Sequence, residues 1–287
     1  MASGVTGDLA ASYAHCEAQL RAEDHDAWLA ALFAPAAARP HLHAIGAFAL
    51  EIGHVRERVR QPAAGEIRLQ WWQDVVDGER KGEAAAHPVA AALVDTIARC
   101  SLPASPFGEI LDAQRLALYE EPPGDLATLE RRCIALHGSP IRLAARVLGG
   151  KGEAMEAAAD DAGVALGIGA MFGDLGRTDA GHRVLVPTDL LRRHGSSQGE
   201  VDLAQSTPRL KAALAELRAT ARVRLRELRS KQKDLGEAVP AFLTAALVAL
   251  RLALSERAAD PFAPTPGLPA WRRQLRLWRA ARNGGVL

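Results

Sequence analysis

The chain has 287 residues, 48% of them hydrophobic and only 5% aromatic, and its 35 Lys and Arg against 34 Asp and Glu leave a net charge of +1. Near neutrality excludes a field that would draw the whole molecule to nucleic acid, so any basic surface is local. Apolar content carried by Ala, Leu and Val favours closely packed helices with small residues at their crossings, and one large helical domain over residues 1–287 accommodates the length.

Helical periodicity dominates and alternating β-branched or aromatic stretches are scarce, so the expected fold class is all-α. Helices are expected over 6–21 and over 26–33, the second capped by Asp24 or Asp26 and closed by Pro35. Pro40 opens a third, over 40–59, which Gln61-Pro62 stops, and a fourth covers 64–77. Further helices are expected over 88–100, 105–118, 126–148, 151–172, 208–235, 240–257 and 269–282. Two stretches break the pattern, 173–195 with its glycines and 261–269 with its prolines.

Cys16, Cys100 and Cys133 have no CxxC spacing and read as reduced, buried thiols, which points to the cytoplasm. The first twenty residues lack a basic stretch followed by an apolar run, so no signal peptide is expected. No segment is expected to span a bilayer, the nearest being 239–254, which starts beside a proline and contains Arg251. The nine histidines show no zinc-ligand spacing, and Leu136-His137-Gly138-Ser139-Pro140 lacks the strand and turn of a serine nucleophile.

The order Leu32-Phe33-Ala34-Pro35, Ala47-Phe48-Ala49-Leu50-Glu51, then Arg68-Leu69-Gln70-Trp71-Trp72 resembles the squalene/phytoene synthase family. The resemblance runs from about Asp24 to Arg282. It implies an isoprenoid-synthase-like helical bundle around a central cavity. In catalytic members an Asp-Asp-x-x-Asp motif follows Ala-Phe and holds magnesium ions that bridge to a prenyl diphosphate; here those positions are Gly53, His54 and Glu57. A hard ion that wants several oxygen ligands gets none from glycine and little from imidazole.

A second motif, Asp-x-x-x-Asp, maps onto Asp174 and Thr178, with Asp179 displaced by one residue, about 100° around a helix. A third acidic position falls on Ala117, with Asp112 earlier on the same helix read as structural. The candidate metal or diphosphate ligands are therefore Glu57, Asp174 and Asp179. Two of these also have an ordinary use, Glu57 as a solvated or salt-bridged carboxylate and Asp174 as a cap or turn former. Arg68, Arg177, His182 and Arg183 are candidate phosphate contacts, since a guanidinium grips phosphate through paired hydrogen bonds. The implied cavity lining is Phe48, Ile52, Leu69, Trp72 and Met171, with Gly138 and Ser139 as small residues on the wall; the same apolar stripe also fits a filled core.

The last helix places Trp271, Leu275 and Trp278 on one stripe among five arginines. It fits docking on the core through its tryptophans, the preferred reading, or contact with an anionic membrane. The departures from the metal motifs resemble the branch that includes the NADH dehydrogenase (complex I) assembly factor. That resemblance implies a non-catalytic protein without a cofactor, binding an isoprenoid or other lipid, or a respiratory complex subunit, with peripheral contact at the inner membrane. The alternative is an active head-to-head prenyltransferase that condenses two prenyl diphosphates with Mg2+.

Overall fold

Proline and glycine punctuate this chain, and the helices start and stop at them. The computed structural model describes residues 3–176, 184–263 and 267–284, and no strand occurs among them. The first half contains α1 (Ser3–Glu23), α2 (His25–Ala31), α3 (Arg39–Gly53), α4 (Val55–Arg58), α5 (Pro62–Val76), α6 (Lys81–Ala86), α7 (Pro88–Cys100), α8 (Ser105–Ala117) and α9 (Leu126–Cys133). The second contains α10 (Ser139–Val147), α11 (Glu153–Asp174), α12 (Thr188–Arg193), α13 (Gln198–Asp202), α14 (Pro208–Ser230), α15 (Val239–Phe242), α16 (Val248–Arg257) and α17 (Ala270–Arg282). Proline occupies the first turn of α3, α5, α7, α8, α10, α14 and α15, where its missing N–H costs nothing. Asp24 caps α2 by accepting from the Ala27 amide at 3.0 Å.

Three expected helices are interrupted, among them the one over 240–257, which a 3-10 turn at Leu243–Leu247 divides. The one expected over 40–59 breaks at His54, which ends α3 and precedes α4. The one expected over 126–148 carries a π-helical turn at Ile134–Gly138. Three short helices, α6, α12 and α13, were not foreseen, because six residues or fewer give periodicity nothing to act on.

Helix α11 runs through the middle and joins two of the three apolar clusters. Met155, Ala158, Ala159 and Ala162 pack with α2, α10, α17 and the 238–247 segment. Val164, Ala165, Ile168 and Phe172 pack with α9, α12, α14 and α16. The third cluster lies between α3, α5, α7 and α8. Its Phe48 ring meets Trp72 and Phe107 edge-on at centroid distances of 5.3 and 5.5 Å. Small residues let α11 approach the π-helical turn closely. A Cβ added to Gly163 would lie 2.6 Å from the Gly138 nitrogen, and one added to Gly167 2.5 Å from the Cys133 sulfur.

Two expectations need correction. The helical stretch Gly236–Arg257 is, by length and composition, long and apolar enough to cross a membrane, with a mean hydropathy of 1.9. Half of that window is buried inside the protein, and the stretch is subdivided into short α and 3-10 turns. One such helix is what the core of a soluble fold also produces. The terminal helix, in turn, does not dock through its tryptophans. Leu277 and Ala280 face the body, while Trp271 and Trp278 are 60% and 45% exposed.

Candidate functional site

A cavity of about 480 Å³ opens between α2, α3, α8, α10, α11 and α15. Its wall is mostly small and aliphatic, including Ala30, Ala49, Ile52, Ile110, Ala144 and Leu166. Polar groups enter from Asp24, Asp26, His54, Gln114, His137, Thr244 and Arg251. An apolar wall with a few polar groups is the arrangement of a small-molecule site.

The break after α3 puts Gly53 and His54 on this wall. A Cβ on Gly53 would meet nothing within 4 Å, so a larger side chain has room there, yet glycine supplies no ligand. The Gly53 carbonyl accepts from Gln114 Nε2 at 3.3 Å, and His54 Nδ1 lies 3.4 Å from the Glu23 carboxylate. Glu57, beyond the break on α4, is exposed and absent from the cavity wall. Asp174 ends α11 partly buried, and its charge is felt by His137. Asp179, Arg177, His182 and Arg183 lie outside the described residues. Arg68 is exposed on α5. Among the described residues, no group of three or more His, Cys, Asp or Glu side chains comes together that could hold a metal ion. The carboxylates at hand on the wall, Asp24 and Asp26, are engaged as a helix cap and as an arginine partner. Among the described residues, these carboxylates do not converge as a hard ion with several oxygen ligands requires.

Of the apolar side chains considered from the sequence, Ile52 is on the cavity wall. Phe48, Leu69 and Trp72 are instead buried behind it in the α3–α5–α7–α8 core, and Met171 is half-buried against the α14–α16 core. Each is apolar at helical spacing on its own helix, and neighbouring helices pack against it. Gly138 is at the close crossing with α11. Ser139, fully buried, donates to the Glu109 carboxylate at 2.6 Å, and Arg142 Nη1 reaches the same oxygen at 2.7 Å. These two support the wall formed by their neighbours His137 and Pro140.

Sequence reasoning missed two features. His137 faces the cavity, and burial pulls its imidazole down from 6.5 to about 4, against the opposing pull of Asp174, so the ring is neutral near pH 7. Asp26, 4% exposed, ties three helices together. It lies 2.9 Å from Arg251 of α16 and 3.2 Å from Arg273 of α17. The available signal was Arg251 itself, a lone charge inside an apolar run that demands a buried partner. Arg251 and Arg273 also line a second depression of about 350 Å³ beside Phe172 and Gly173.

The comparisons with known proteins agree with this geometry. The squalene/phytoene synthase sequence pattern matches residues 20–279. The chain is 26% identical over 233 residues to the mouse (Mus musculus) NADH dehydrogenase (ubiquinone) complex I, assembly factor 6, covering 81% of this chain and 70% of that protein. It is 30% identical over 208 residues to the phytoene synthase of Thermus thermophilus, covering 72% and 70% respectively. A dehydrosqualene synthase crystallised with a ligand superposes with a TM-score of 0.80 at 17% identity, over 97% of this chain and 98% of that one. At that identity the likeness establishes the all-helical isoprenoid synthase fold and nothing finer. A sequence pattern that spans nearly the whole chain, on that fold, means that the protein belongs to the squalene/phytoene synthase family.

Proposed function

We propose that this chain is a family member without prenyltransferase activity that acts in the assembly of respiratory complex I. In this role it binds a lipid or a protein partner at the inner membrane surface. The observation that carries the reading is the cavity wall at the end of α3, where Gly53 and His54 stand and Glu57 is absent. Departure of a diphosphate needs several positive charges held close by, and among the described residues no carboxylate cluster gathers to hold them. Similarity to a complex I assembly factor supports the same reading. The largely apolar cavity, with polar groups around Asp26, His137 and Arg251, suits a ligand with an apolar body and a polar end.

The test is to incubate the purified chain with farnesyl or geranylgeranyl diphosphate and Mg2+. No squalene- or phytoene-type product is expected. One observation favours the second reading, a magnesium-dependent head-to-head prenyltransferase using Glu57, Asp174 and Asp179. Asp174 ends α11 near His137 of the cavity wall. Sustained turnover that Asp174→Ala abolishes would establish that reading and overturn the first.

A further inference from the structure

The outward face of α17 combines exposed tryptophans with arginines. Inward, Leu277 and Ala280 are buried, Arg273 reaches Asp26 at 3.2 Å, and Arg276 Nε donates to the Ala246 carbonyl at 3.2 Å. Those contacts fix the rotation of the helix. Trp271, Leu275, Trp278 and Arg282, spaced at i, i+4, i+7 and i+11, therefore lie on the opposite side. Both tryptophans are exposed, and so are Arg272, Arg279 and Arg282. Arg272 sits over the Trp271 ring at 5.2 Å and Arg282 over the Trp278 ring at 5.0 Å. The helix holds no Asp or Glu.

We infer that this face of α17 is a membrane-docking surface for bilayers rich in anionic phospholipid. The inference deepens the proposed role at a membrane by naming the element that makes the contact. Charge complementarity selects the occupant: cationic charge is concentrated on one helix of a protein whose net charge is only +1. Indole rings are amphipathic and settle at the level of lipid headgroups, and arginines beside them meet the phosphates. The helix rests on the turn Leu243–Leu247, which also contributes Thr244 to the cavity wall, so a docked α17 brings the bilayer to the element that bounds the cavity.

The experiment is co-sedimentation of the full chain with vesicles of phosphatidylcholine alone and of phosphatidylcholine mixed with phosphatidylglycerol. Wild type is expected to pellet with the mixed vesicles and to remain in solution with the neutral ones, and added salt should weaken binding. Arg272→Gln/Arg279→Gln/Arg282→Gln should lose about 100-fold in partitioning, from three surface charges. Trp271→Ala/Trp278→Ala should also lose most of its binding. All five side chains are exposed, so circular dichroism and the melting midpoint should stay as in wild type. No binding by wild type, equal binding to neutral vesicles, or a tryptophan variant that binds as wild type overturns the inference. So does tighter binding to polyglutamate or duplex DNA than to the mixed vesicles, which would mark the face as a protein or nucleic-acid contact. Vesicle binding is read without reference to respiration or turnover, so its failure is separable from failure of the assembly role.

Discussion

Alanine at Gly163 sets two opposing effects against each other on one helix. Replacing a helical glycine gains up to about 1 kcal/mol in backbone entropy wherever the new methyl group has room. At Gly173, in the last turn of α11, a Cβ meets nothing within 4 Å, so Gly173→Ala should stabilise by up to about 1 kcal/mol. At Gly163 the same Cβ would come within 2.6 Å of the Gly138 nitrogen and 2.7 Å of its Cα. Those are backbone atoms that no rotamer change can withdraw, so the π-helical turn and α11 must separate. Overpacking of this kind costs about 1–3 kcal/mol and exceeds the entropy gain over most of that range, leaving a net loss of up to about 2 kcal/mol. At roughly 2–4 °C per kcal/mol for a chain somewhat smaller than this one, the two variants should melt on opposite sides of wild type. Urea and thermal melts followed by circular dichroism measure this directly. A Gly163→Ala protein as stable as Gly173→Ala would refute close helix packing as the reason for glycine there.

Asp26→Ala should cost about 2 kcal/mol in denaturant unfolding, below the 3–5 kcal/mol of a fully buried pair, because Arg251 and Arg273 are partly exposed and can recover water. An unchanged midpoint would show that the three-helix tie adds nothing to stability. His137 has a folded-state value near 4, below its ordinary 6.5, so it contributes stability above pH 6.5 that is lost as the pH falls toward 4. His137→Gln should flatten the stability profile in that window, and the wild-type imidazole should titrate by NMR well below pH 6. A midpoint at 6.5 or above would contradict its burial. Ser139→Ala should cost about 1 kcal/mol, since the buried hydroxyl donates to Glu109 and the carboxylate keeps Arg142 as a partner.

Helix positions were largely readable because proline opens so many of them and because the apolar period runs the length of α7, α8, α11 and α14. The limits of α7 coincide with the expected 88–100. Breaks inside helices were not readable. Gly53 ends α3 and Pro140 opens α10, but a glycine or proline inside an apolar period does not say whether the helix breaks there, and the π-helical turn also packs closely on Gly163 and Gly167 of α11, distant in sequence. The cavity was legible as an expectation of the fold and not in its walls. Periodicity reports that Phe48, Leu69 and Trp72 are buried, but it does not distinguish a core neighbour from an empty space. For α17 the stripe of Trp271, Leu275 and Trp278 was visible, and its direction was not. The side facing the body was decided by Leu277, Ala280 and the pairing of Arg273 with Asp26, about 250 residues earlier in the chain.

The central proposal is that this member of the squalene/phytoene synthase family serves respiratory complex assembly and does not transfer prenyl groups. Its most direct measurement is NADH-dependent oxygen consumption by membranes from a strain lacking this chain, with carotenoids and hopanoids quantified in the same cells. Reduced NADH-dependent respiration, normal isoprenoid products and rescue by Asp174→Ala are expected. Normal respiration with lost carotenoids or hopanoids, restored by wild type and not by Asp174→Ala, would contradict the assembly role and identify a working prenyltransferase.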